Sequence, residues 1–75
     1  MTSPLQDWRR HQGMTRKDLA FASGLGEYDI LLIEQGKTGL HGKLQDHLAD
    51  KRVNVSEMAS EQSAFIEGLR SKKTA

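Results

Sequence analysis

His11, His41 and His47 are the only histidines of this sequence, and no cysteine accompanies them. A metal site on a helix needs a second ligand one turn away, whereas His47 has Lys43 and Lys51 there, so the histidines read as solvated or phosphate-facing and no metal is expected. No nucleophile stands in a strand-to-helix elbow. Gly24-Leu25-Gly26 lies between helical stretches and follows no strand, which removes the phosphate-cradling loop as well. The expectation is therefore a protein without catalysis, metal or cofactor. Glu27 and Asp29 suit a helix N-terminus, where the backbone dipole favours negative charge. Trp8 and Phe65 fall on apolar faces and read as core. Tyr28, near the start of a helix, is expected exposed and free to touch a partner.

A small scaffold must hold these groups. With 75 residues the chain has room for a single core. At 36% hydrophobic residues, without disulfides or a zinc site, it must draw stability from helix packing or from dimerisation. The formal charge is only +1, from 11 Lys and Arg against 10 Asp and Glu, so binding to a polyanion by bulk charge is excluded and any such site depends on local placement. No run of about 18 apolar residues offers a membrane span, and the first residues lack the basic start and apolar stretch of a signal peptide. A cytoplasmic protein with no membrane partner is expected.

The elements follow from start and stop signals. Ser3-Pro4 opens a helix that carries Leu5 and Trp8 inward and stops at Gly13. Thr15 with Asp18 three residues later begins a second, whose apolar face is Leu19, Ala20 and Ala22. Gly24 ends it, and a third helix spans 27–34 with Ile30 and Ile33 inward. Gln35 to Gly39 reads as a loop. Leu40, Leu44 and Leu48 mark a fourth helix to about Lys51, and Asn54 to Glu57 signals a fifth over 56–70. Along that fifth helix Met58, Gln62, Phe65 and Leu69, flanked by Ala59 and Ile66, form one stripe. The tail 71–75 has nothing to bury and is expected to fray. The fold class is all-α, with residues 1–70 as one domain.

The most informative stretch is 15–36. Two short helices joined by the turn Gly24-Leu25-Gly26 cross steeply only if a small residue lets them approach, a glycine turns the chain and apolar residues fill the wedge. Ala20, Gly24, and Leu25 with Ile30 and Ile33 meet those needs in register. With Thr15, Leu19, Glu34 and Gly36 added, the stretch resembles the phage repressor and Cro helix-turn-helix family, also called the XRE family. The likeness extends from Leu5 to Met58.

That resemblance implies a five-helix, lambda repressor-like domain that binds a double-stranded DNA operator as a homodimer and regulates transcription, with the recognition helix 27–34 in the major groove. It puts Glu27, Tyr28 and Leu31 against the bases. Arg16, Lys17, Lys37, Thr38 and Lys43 would contact the phosphate backbone, Arg16 with guanine as a further target. It also implies a mostly buried ion pair between Arg9 and Glu34. In the fifth helix the stripe Met58, Phe65, Ile66 and Leu69 has two uses open to it, closing the core or giving part of itself to a two-fold dimer interface, and the dimer interface is the preferred expectation.

The chain departs from the family pattern at several places. Glu27 and Asp29 bring negative charge to the end that would approach phosphates. Leu31 and Leu32 stand where small or polar residues are usual, Leu40 replaces a proline, and about one residue is added before Val53. The acidic start and the leucines suggest a second reading, in which the scaffold binds a regulatory protein through Tyr28, Leu31 and Leu32.

Overall fold

Ser3 and Pro4 open the first helix as their side chains dictate. The structure, a computed structural model, describes residues 2–73. In α1 (Pro4–His11) the Ser3 hydroxyl accepts from the Gln6 N–H at 3.0 Å, and proline sits where its missing N–H has no partner to lose. α2 (Arg16–Ser23) starts with a reciprocal pair: the Thr15 hydroxyl accepts from the Asp18 N–H at 3.1 Å, and the Asp18 carboxylate accepts from the Thr15 N–H at 3.0 Å. Gly24 closes α2 in the left-handed region at φ 75°, which lets the Leu25 N–H reach the Ala20 carbonyl at 2.9 Å.

α3 (Glu27–Glu34) follows after the turn, and the Asp29 carboxylate accepts from the Gly26 N–H at 3.2 Å. α4 (Gly42–Asp50) is capped by His41, whose Nδ1 accepts from the Lys43 N–H at 3.1 Å. α5 (Val55–Lys73) begins where the Asn54 side-chain oxygen accepts from the Glu57 N–H at 3.0 Å. Its 19 residues make it by far the longest element, about 28 Å at 1.5 Å per residue. The described residues contain these five helices and no strand, so the chain is all-α.

The core gathers one or two residues from each helix. Leu5, Leu19, Ile30, Ile33, Leu44 and Leu48 are fully buried, with Ala20 and Met58 beside them and Trp8, Met14, Leu25, Leu40, Val53 and Val55 packed at the margin. Each of the large aliphatic side chains contributes about 1.5–3 kcal/mol through its burial.

Several boundaries differ from the sequence reading. Leu40 precedes α4 instead of starting it, because His41 supplies the cap and Leu40 needs only to lean on the core. On α2 Ala22 is exposed and Ser23 is buried. The serine is tolerated inside because its hydroxyl donates back to the Leu19 carbonyl at 2.8 Å. α5 extends beyond residue 70 to Lys73, so 71–73 are helical, not a frayed tail; residues 74–75 of that tail lie outside the described residues.

Candidate nucleic-acid interface

Glu34 closes α3, and its carboxylate is the point at which α1, α2 and α3 meet. Arg9 reaches it from α1 with Nε to Oε2 at 2.7 Å and Nη2 to Oε1 at 3.3 Å, and donates its remaining Nη1 to the Met14 carbonyl at 2.8 Å. Arg16, the first residue of α2, brings its Nε to the same Oε1 at 3.0 Å. The Glu34 side chain is 2% exposed and that of Arg9 10%, whereas that of Arg16 is 43% exposed. One buried anion therefore holds one buried cation and one cation at the surface, so the excess positive charge stays in water. The Arg9 to Glu34 pairing is the one the resemblance implies. Arg16, assigned by it to phosphate or guanine, is also a member of this cluster.

The turn before α3 and the cluster at its end fix the helix at both termini. Ile30 and Ile33 point inward, while Glu27, Tyr28 and Asp29 at its start are exposed. Asp29 is committed to the Gly26 N–H and so acts as a cap, whereas Glu27 has no ion-pair partner among the described residues. Tyr28 is 69% exposed. Leu31 and Leu32 are half-buried.

Lys17 on α2, Lys37 and Thr38 in the loop after α3, and Lys43 on α4 are all exposed, and none of the three lysines forms an ion pair among the described residues. These ammonium groups are available to an anionic partner. Loop residues 35–39 take their course from Gly36, at φ 74°, and from the Lys37 N–H bonded to the Leu32 carbonyl at 3.0 Å. Gly36 is also a close approach: a Cβ there would meet Leu69 Cδ1 and the Phe65 ring.

The stripe assigned to a dimer interface is largely spent inside the chain. Met58 belongs to the core cluster, Phe65 is 7% exposed and Leu69 lies over Gly36. Of the four residues named for dimerisation, Ile66 is half-buried with no core contact assigned to it. The physical reason is the course of α5, whose Gln62, Phe65 and Leu69 meet the end of α3 and the loop after it.

The histidines are not all solvated as expected. His41 caps α4, and the Nε2 of His47 is buried without a hydrogen-bond partner among the described residues. Among the described residues no three His, Cys, Asp or Glu side chains come together as a metal site would require, and no helix is long and apolar enough to cross a membrane. A groove of about 320 Å³ lies between α1 and α5, lined by Thr2, Pro4, Asp7, Glu61, Ala64 and Phe65, none of which is a residue expected to contact DNA.

The exposure of Phe21 and the role of Gln62 also escaped the sequence reading. Phe21 on α2 is 91% exposed; its position two residues after buried Leu19, on the opposite side of a helix, was the available signal. Gln62 is 1% exposed at a polar position inside an apolar stripe, and its amide donates to the carbonyls of Ile33 at 2.8 Å and Thr38 at 3.0 Å. No family model, curated protein or solved structure matches the chain.

Proposed function

We propose that this protein is a DNA-binding transcriptional regulator of the repressor and Cro helix-turn-helix type, working in the cytoplasm as a homodimer and without a catalytic step. The observation that carries the reading is the setting of α3. Its far end is locked to α1 and α2 through Glu34, and its start presents Glu27 and Tyr28 to solvent, with exposed Arg16, Lys17, Lys37 and Lys43 on the neighbouring elements. A rigid helix with a free N-terminal face and cations on flanking segments is what major-groove insertion requires. Glu27 can accept from a cytosine amine, and Leu31 can touch a thymine methyl.

Titration of short duplexes tests this division of labour. Tyr28→Ala should flatten the discrimination between operator and unrelated duplex, while Lys17→Ala should weaken both alike and lower the salt slope by about 1. Equal behaviour of both variants and the parent would contradict the proposal.

A second reading, capture of a regulatory protein on the same scaffold, is favoured by one observation. Phe21 stands almost wholly in solvent, with Tyr28 also exposed and Leu31 and Leu32 only half covered. Exposed aromatic surface of this kind is a common anchor for protein partners.

A further inference from the structure

Among the described residues Gln62 is the one fully buried side-chain amide, and stability alone does not account for it. Its Nε2 reaches two carbonyls, Ile33 at 2.8 Å and Thr38 at 3.0 Å, which fixes the orientation of the amide because only the NH2 end can donate. The Oε1 left over is buried and has no hydrogen-bond partner among the described residues. An apolar side chain of the same shape would avoid stranding that oxygen, so the group that Gln62 serves is what it donates to.

Ile33 ends the inner face of α3 and already accepts from the Gly36 N–H at 3.0 Å. Thr38 differs. Among the described residues its carbonyl has no hydrogen bond except the one from Gln62. It lies between Gly36 and Gly39, two residues that leave a backbone free to move, and beside Lys37. Leu69 and Phe65, from the same α5, close over Gly36. Thus α5 backs the loop at two successive points, one by packing and one by hydrogen bonding.

We propose that Gln62 is a positioning residue for the loop that carries Lys37 and Thr38. It holds their backbone in the geometry that meets a DNA phosphate, although the amide itself never touches DNA. The inference rests on the DNA-binding reading. A preset loop loses less conformational freedom on binding than a loose one, so the tether contributes to affinity through pre-organisation. Because Lys37 and Thr38 would contact the backbone and not the base edges, the effect falls on all sequences alike.

The test uses Gln62→Met, which keeps the volume and removes the donor. The probe is the duplex immediately upstream of the protein's own gene, titrated over a range of salt. The expected variant is folded by circular dichroism and binds several-fold more weakly, with a log–log salt slope shallower by about 1. In a background carrying both Lys37→Ala and Thr38→Ala the same change should weaken binding no further, a coupling that a purely structural role would not produce.

A folded Gln62→Met protein with the parent's affinity and slope overturns the positioning role while leaving the DNA reading intact. A parent that binds no duplex overturns that reading, and the proposal with it. If the variant does not fold, the parent decides the matter: the side-chain amide protons of Gln62, which donate to the Ile33 and Thr38 carbonyls, should exchange slowly, and exchange at the rate of a free side-chain amide would refute the tether.

Discussion

Arg16 donates its Nε to Glu34 Oε1 at 3.0 Å, on the same carboxylate that Arg9 holds through Oε2. This arrangement ties the first residue of α2 to the last residue of α3 and makes the angle between the two helices a property of one buried anion. The two arginines nevertheless contribute unequally, because only one of them is out of water.

Arg9→Ala leaves Glu34 buried with a single, solvent-exposed partner, and should destabilise the fold by about 3–5 kcal/mol. Arg16→Ala removes a pair whose cation is largely hydrated and should cost no more than about 1 kcal/mol. Urea unfolding of the two variants measures both. Equal losses would mean that the cluster is not organised around Arg9 and Glu34.

Asp18 adds a pH dependence of definite sign. The Thr15 N–H bonded to its carboxylate, and then the Thr15 hydroxyl, hold its pKa below the ordinary value of 3.8. A carboxyl with a depressed folded pKa stabilises the native state above its unfolded value, and that contribution disappears as pH falls through the lower folded value. Asp18→Asn should therefore flatten the acid limb of the stability profile as pH falls below the ordinary carboxyl value of 3.8, relative to the parent. Thr15→Ala, which removes the cap, should cost about 1 kcal/mol at neutral pH. A steeper acid limb in Asp18→Asn would reverse the assignment.

Arg52 is the only non-glycine residue at positive φ among those described, at 63°, where it lets the Val53 N–H close on the Leu48 carbonyl at 3.0 Å after α4. A side chain in that region costs about 1–2 kcal/mol, and glycine loses about 0.5–1 kcal/mol in chain entropy, so Arg52→Gly should gain up to about 1 kcal/mol. Thermal denaturation checks it. A lower Tm would show that the arginine side chain makes a compensating contact.

Much of the fold is legible because capping chemistry is local. Ser3, Thr15 with Asp18, Gly24 and Asn54 each announce a boundary within a few residues of themselves, and the structure places caps at all four. What stayed hidden needed distance information or an uncommon cap. Histidine rarely caps a helix, so His41 gave no signal and Leu40 was read as helical. The pairing of Arg16 with Glu34 and the reach of Gln62 to Thr38 join residues far apart in sequence, which no periodicity encodes. The stripe on α5 was visible, but its destination was not: whether Met58 and Phe65 face a partner or their own chain depends on how α5 crosses the end of α3.

That destination is itself testable. Phe65 is inside the chain, so Phe65→Ala should lose about 3–5 kcal/mol of stability while leaving self-association in sedimentation experiments unchanged. Ile66→Lys should leave the fold intact and weaken self-association in sedimentation experiments if α5 pairs with a second copy. A folded Phe65→Ala protein that self-associates more weakly than the parent would restore Phe65 to the interface.

The most direct measurement is an electrophoretic shift of the DNA upstream of the protein's own gene, at about 50 mM and about 200 mM salt, with unrelated duplex as competitor. A complex that resists the competitor and weakens steeply with salt is the predicted result. Folded protein at micromolar concentration that shifts no duplex at either salt would contradict DNA binding and leave Phe21, Tyr28, Leu31 and Leu32 as the surface through which a protein partner should be sought.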